Sequence, residues 1–173
     1  HLFGCREAVL ENVRIHAGPG MGLIAHRCGD VRIEGLRVEP SGSRVMSTNC
    51  DATHFISCSG EIRIARCVFR GMGDDAANVH GFYLTVRRIE GCRVIVSLDV
   101  APQDFEMDLP DPGDQLELVR SDTLLPYGTG TVLQVFWDGI SRQAELELSG
   151  DLTPQAAVGD LLANRSKAAR LGF

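Results

Sequence analysis

An apolar template at positions i, i+2, i+5 and i+7 recurs four times before residue 95. It reads Ala8, Leu10, Val13 and Ile15; then Val31, Ile33, Leu36 and Val38; then Ile62, Ile64, Cys67 and Phe69; and last Leu84, Val86 and Ile89, with Gly91 in the fourth slot. Successive copies start 23, 31 and 22 residues apart. The spacing of two marks a strand with alternate side chains inward, and the step of three marks a bend into a second strand. No window of about 12 residues keeps a 3.6-residue period without a Gly or a β-branched run, which excludes a helical repeat. Units of this length, with turn residues between them (Gly18-Pro19-Gly20, Cys28-Gly29-Asp30, Ser59-Gly60), predict a right-handed parallel β-helix of about four coils, each pairing with the next. Four coils leave strand edges that natural solenoids cover with caps, so the complete protein is expected to carry more.

The pattern changes near residue 99. An Asp- and Pro-rich stretch from Asp99 to Asp114 leads into alternating runs at Gln115–Val119, Gly130–Phe136 and Ala144–Leu148. Turns at Ser121-Asp122, Trp137-Asp138-Gly139 and Ser149-Gly150-Asp151 separate them, which predicts a small antiparallel β-barrel or sandwich. Pro112-Gly113-Asp114-Gln115-Leu116 and Val158-Gly159-Asp160-Leu161-Leu162 read as turn-then-strand openings at its two ends. The expected organisation is all-β: coils over 1–98, the antiparallel domain over 99–165, and a tail or the start of a returning coil over 166–173.

Composition narrows the function classes. With 44% hydrophobic and 23% charged residues the chain is expected to be soluble and globular. Seventeen basic against 23 acidic residues, and no basic run, leave no phosphate-neutralising footprint, so nucleic acid is not an expected partner. Apolar stretches such as Val94–Val96 and Val132–Val135 are far short of the roughly 20 residues that span a bilayer. The first residue is His1 rather than Met, which suggests a processed or excised chain, and neither a signal peptide nor an anchor is visible. All six Cys precede residue 93 without metal-clip spacing, and they recur with the repeat as buried free thiols would. The only Lys is Lys167, so no lysine base serves the first half.

The most chemically loaded segment is Gly71-Met72-Gly73-Asp74-Asp75-Ala76-Ala77-Asn78-Val79-His80-Gly81. Adjacent carboxylates among Gly, Asn and His are poor strand material. On a regular strand one of Asp74 and Asp75 would point into the core, whereas freedom at Gly71 and Gly73 lets both face outward. Asp51 lies 11 residues before Ile62 and Asp74 lies 10 before Leu84, so the two occupy nearly matching slots in successive coils, about 4.8 Å apart. Asp51, Asp74 and Asp75 should therefore meet on one outer face, where like-charge repulsion would raise the pKa of at least one. A proton-holding acid beside ionised neighbours suits glycoside hydrolysis, in which one carboxyl protonates the leaving oxygen and another activates water. Such a cluster could instead hold calcium through oxygen ligands, but nearby His54, Asn78 and His80 favour catalysis. Each histidine taken singly is as compatible with a structural role as with a substrate contact.

The run Asn49-Cys50-Asp51-Ala52-Thr53-His54-Phe55, then Cys58-Ser59-Gly60-Glu61-Ile62, then Gly71 to Gly81, resembles glycoside hydrolase family 110, exo-acting α-1,3-galactosidases that release terminal α-galactose, including that of the blood-group B determinant. The resemblance covers about residues 8 to 98, and a small β-barrel interrupting a β-helix is compatible with the second half. It implies an inverting mechanism without a cofactor or metal: Asp74 as general acid, Asp51 and Asp75 holding and deprotonating the attacking water, and His54, Asn78 and His80 near the sugar. It also implies terminal α-galactosyl oligosaccharides or glycoconjugates as substrates and a secreted or periplasmic location. Adjacent coils permit either the roughly 6.5–9.5 Å carboxyl separation of inverting enzymes or the roughly 5–5.5 Å of retaining ones, so stereochemistry rests on the resemblance alone. The alternatives are another β-helix carbohydrate enzyme, a polygalacturonase-like hydrolase or a lyase, and a non-catalytic glycan-binding module. The Gly-His-Gly and Arg-x-Lys signatures of polygalacturonases are missing, since Val79 precedes His80.

Overall fold

The computed structural model describes residues 1–98, 108–150 and 156–172, and they are all-β apart from a 3-10 turn at Arg165–Lys167 and a single further 3-10 position at Asp108. The chain divides into two units, residues 1–81 with 167–173, and residues 82–166.

The first unit is built of three parallel sheets. Short strands β1 (Leu2–Phe3), β2 (Glu7–Glu11) and β3 (Arg14–Ile15) are followed by β4 (Leu23–His26), β5 (Asp30–Glu34) and β6 (Arg37–Val38), then β7 (Thr53–Ile56), β8 (Glu61–Ala65) and β9 (Val68–Phe69), and finally β10 (Ala77–His80). One sheet runs β1-β4-β7-β10 and another β3-β6-β9, so the chain visits the sheets in the same order three times. Ala8 pairs with Val31 and Val31 with Ile62, which are the 23- and 31-residue steps of the apolar template. The strand β17 (Arg170–Gly172) returns to lie parallel to β8 and completes the sheet β17-β8-β5-β2.

Side chains from all three sheets share one core. Ala25 and Phe55 meet Val31, Ile33, Ile62 and Ile64, with Leu36 and Val38 beside them. Each fully buried aliphatic or aromatic side chain contributes about 1.5–3 kcal/mol relative to exposure. The step of three in the template is a left-handed corner. Asn12 (φ 55°), Gly35 (φ 67°) and Arg66 (φ 52°) each separate the two strands of their repeat. A Cβ on Gly35 would stand 2.7 Å from Asn12 Oδ1, so a larger residue at the middle corner requires the Asn12 side chain to move. The six cysteines are free. Burial pushes the Cys28 and Cys58 thiols up, and their Sγ atoms donate to the carbonyls of His26 (3.5 Å) and Ala25 (3.3 Å), which marks them as inert packing groups.

The second unit is a closed antiparallel barrel. Its strands are β11 (Tyr83–Glu90), β12 (Arg93–Ser97), β13 (Gln115–Val119), β14 (Pro126–Asp138), β15 (Gln143–Leu148) and β16 (Leu161–Asn164), closed in the order β11-β12-β15-β14-β13-β16. Leu84, Val86, Val94, Val96, Leu116, Leu118, Leu146, Leu148 and Leu162 fill it. The two Gly-Asp turns open the paired strands β13 and β16. Asp160 is 6% exposed; it accepts from Tyr127 Oη at 2.6 Å and from the Ser121 N–H at 3.3 Å, while Arg120 stacks 4.0 Å over the Tyr127 ring.

Two expectations are corrected. Leu84, Val86 and Ile89 are not a fourth coil: they lie on β11, antiparallel to β12 and β16. The boundary accordingly falls at 81/82 rather than 98/99. The cause is a β-bulge between Val86 and Arg88, which converts the alternation of an ordinary strand into the same i+2, i+5 spacing that a corner produces. The Asp- and Pro-rich stretch from Asp99 to 107, and Asp151, lie outside the described residues.

Candidate active site

Backbone pairing brings the predicted acids together. Ala77 to His80 form a strand, despite the expectation that this segment is poor strand material, because β7 supplies a parallel partner for every residue: Ala77 with Thr53, Asn78 with His54, Val79 with Phe55, His80 with Ile56. Tertiary pairing overrides propensity here. The register offset is 24, and two residues upstream it sets Asp75 beside Asp51: the Ala52 N–H donates to the Asp75 carbonyl at 2.9 Å, and the Asp75 N–H donates to Asp51 Oδ1 at 3.2 Å. One carboxylate oxygen each from Asp51, Asp74 and Asp75 lies within 4.8 Å of the other two.

Glycine makes this closeness possible. The Gly73 N–H donates to the Thr48 carbonyl at 3.0 Å, and a Cβ there would stand 2.4 Å from the Asn49 carbonyl oxygen. Gly71, with φ of 71°, follows β9 in the left-handed region, and its carbonyl accepts from the Ser47 N–H at 2.8 Å. Asp74 and Asp75 are both exposed, as expected. Asp51 is not on an exposed outer surface: it is 3% exposed, with both oxygens engaged.

His54 follows Asp51 by three residues and sits on the face of β7 opposite Phe55, which points into the core. Its Nδ1 is 2.5 Å from Asp51 Oδ2, and its Nε2 is 2.9 Å from His80 Nε2, with the rings edge to face at 4.9 Å. His80 Nδ1 reaches the Gly81 carbonyl at 3.2 Å. Asn78, half-buried, is the register partner of His54 on β10. All six predicted site residues thus fall in one neighbourhood of the sheet β1-β4-β7-β10 and the loop entering its last strand.

Sequence reasoning took the two histidines singly and missed that they are linked. The spacings themselves, three residues from Asp51 to His54 and the 24-residue register plus two from His54 to His80, are in the sequence, but only the side-chain geometry joins the three groups. It also missed the loop from Pro40 to Thr48, whose Met46 Cε lies 3.2 Å from the position a Gly73 Cβ would take. A three-carboxylate cluster of this spacing could also attract a cation. Each Asp51 oxygen makes one contact to a protein group, which leaves further acceptor capacity on both.

No protein-family model matches the chain. Among curated proteins it is similar to α-1,3-galactosidase B of Phocaeicola vulgatus, 37% identical over 118 residues, covering 66% of this chain and 20% of that protein. It is also similar to α-1,3-galactosidase A of Shewanella woodyi, 34% identical over 133 residues (76% of this chain, 20% of that protein). A third relative is α-1,3-galactosidase A of Akkermansia muciniphila, 32% identical over 140 residues (80% and 23%). The chain spans about a fifth of the length of the curated relatives it matches. The resemblance drawn from the two motifs extends over most of this chain.

Proposed function

We propose that this chain, similar over most of its length to a segment of the α-1,3-galactosidases, is the acid-bearing part of an exo-acting glycoside hydrolase that releases terminal α-1,3-linked galactose from glycans. The observation that carries it is the convergence of Asp51, Asp74 and Asp75, 23 and 24 residues apart in the chain, to within 4.8 Å. The relatives' names favour this reading over a polygalacturonase-like enzyme, a lyase or a non-catalytic module. In the same proposal the three parallel sheets are the faces of a right-handed parallel β-helix interrupted by the barrel. The repeated order of visits to the sheets and the return of β17 to β8 support it.

Asp74, exposed at the tip of the loop, is the general acid that protonates the glycosidic oxygen. Asp75, also exposed, takes the proton of the attacking water, and Asp51 holds that water with it. His54, Asn78 and His80 flank the sugar. Inversion is the part of the reading that rests on the family resemblance: oxygens within 4.8 Å are closer than the roughly 6.5–9.5 Å between carboxyls usual for inverting sites. A secreted or periplasmic location likewise rests on the resemblance.

Replacing Asp74→Asn in the full-length protein removes the transferable proton at constant shape. The expected result is a fall in kcat of about 10²–10⁴-fold on terminal α-1,3-galactosides, with galactoside binding retained in calorimetry. An unchanged kcat would remove Asp74 from the role of acid.

A further inference from the structure

The contacts that join Asp51, His54 and His80 require more protons than those groups ordinarily carry. The Gly81 carbonyl can only accept, so the His80 Nδ1 contact at 3.2 Å places a proton on Nδ1. A neutral imidazole has one N–H and one acceptor nitrogen, which makes His80 Nε2 the acceptor and puts a proton on His54 Nε2, 2.9 Å away. His54 Nδ1 then faces Asp51 Oδ2 at 2.5 Å, and that contact needs a third proton. An ionised aspartate and two neutral imidazoles bring two. Without the third, two lone pairs would be pressed together where Asp51 is 3% and His54 8% exposed, an arrangement that low local dielectric makes costly.

We infer that Asp51, His54 and His80 form a proton-holding chain carrying one proton beyond this ordinary complement, so that His54 is an imidazolium clamped between Asp51 and His80. The inference rests on the hydrolase reading only for its role in turnover. Among the described residues, these neighbours do not supply the missing proton: Asp51 Oδ1 takes the Asp75 N–H, the Asp74 and Asp75 carboxyl groups are acidic neighbours, Ile24 of β4 flanks His54, and His26 of β4 lies across Ile56 from His80. The imidazolium offsets the Asp51 charge and lets three carboxylates sit together. It also commits Asp51 to orienting the water and leaves the exposed Asp75 as the group free to accept its proton. His54 and His80 are on this basis positioning residues for the proposed acids of the site.

The test is histidine-detected NMR on the full-length protein made with isotope-labelled histidine, using His54→Gln and His80→Gln to assign the signals. The expected spectrum shows both ring nitrogens of His54 protonated at neutral pH and His80 in the single Nδ1–H form. A His54 with one protonated nitrogen at neutral pH would overturn the inference. Kinetics separate positioning from sugar contact. His80→Leu, which removes the acceptor for His54 Nε2, is expected to lower kcat on the order of 10²-fold with KM nearly constant, and His80→Gln, which keeps an acceptor, to recover most of it. A rise in KM with kcat intact in both variants would overturn the positioning role. An imidazolium signal in a protein that releases no galactose leaves the chain standing and sinks the hydrolase reading; turnover with a neutral His54 does the reverse.

Discussion

Asp51 and Asp74 carry the same functional group in opposite surroundings, buried and twice hydrogen-bonded against exposed at a loop tip, and substitutions at the two sites should be read differently. At Asp74 the change is chemical; at Asp51 it also strands His54 and the Asp75 N–H. Among the buried aspartates of the barrel unit, Asp160 has a behaviour predictable at this scale. Tyr127 Oη, donating at 2.6 Å, holds the Asp160 carboxyl below the usual carboxylate range, while burial and then Asp160 push the Tyr127 hydroxyl up to about 12. The raised Tyr127 value contributes stability that is intact below the unfolded value of about 10 and is lost as pH rises from there through about 12. The lowered Asp160 value contributes stability present above about 3.9 and lost as pH falls through the folded value. Tyr127→Phe should cost about 1.5–3 kcal/mol at neutral pH, since the lost bond is to a charged group, and should flatten the alkaline decline. Urea titrations at neutral and alkaline pH check both.

At the scale of elements, the strands that were legible from the chain are those with one clean inward face. The strands β2, β5 and β8 alternate strictly, and β13 and β15 match the alternating runs at Gln115–Val119 and Ala144–Leu148 closely. The site sheet was not legible, because β4 and β7 are buried on both faces and their outward positions carry His26, His54 and Ile56 in place of exposed polar residues. The strand β11 was misread because a bulge and a corner leave the same spacing in the sequence. The convergence of the acids was legible, although the slot match used Leu84, a barrel residue; the operative register is the 24-residue offset of β7 and β10, which aligns Asp51 with Asp75 rather than Asp74. The Asp51–His54–His80 link required side-chain geometry that no spacing rule supplies. Packing at Gly73 gives a prediction at this scale. Gly73→Ala puts a Cβ 2.4 Å from the Asn49 oxygen, so the loop must shift, with a stability cost of about 1–3 kcal/mol and a larger proportional fall in kcat than in binding. Thermal unfolding and steady-state kinetics on the same variant separate the two effects.

At the scale of the whole chain, two cores with no residue in common are found: one joins the parallel sheets beside which Asp51, Asp74 and Asp75 meet, and the other fills a closed barrel. Leu146→Ala, at a fully buried barrel position, should destabilise the barrel by about 2–5 kcal/mol while the register of β7 and β10 persists. Hydrogen exchange is expected to show faster opening on β12, β14 and β15, with protection on β7 unchanged; loss of protection on both would contradict this separation. The central claim concerns chemistry, and a time course of the full-length protein with a terminal α-1,3-galactoside, followed by NMR from the first turnovers, tests it most directly. Free galactose appearing first as the β-anomer, and only later equilibrating, is the predicted result. Galactose appearing first as the α-anomer would contradict inversion, and no release of galactose would contradict the hydrolase reading itself.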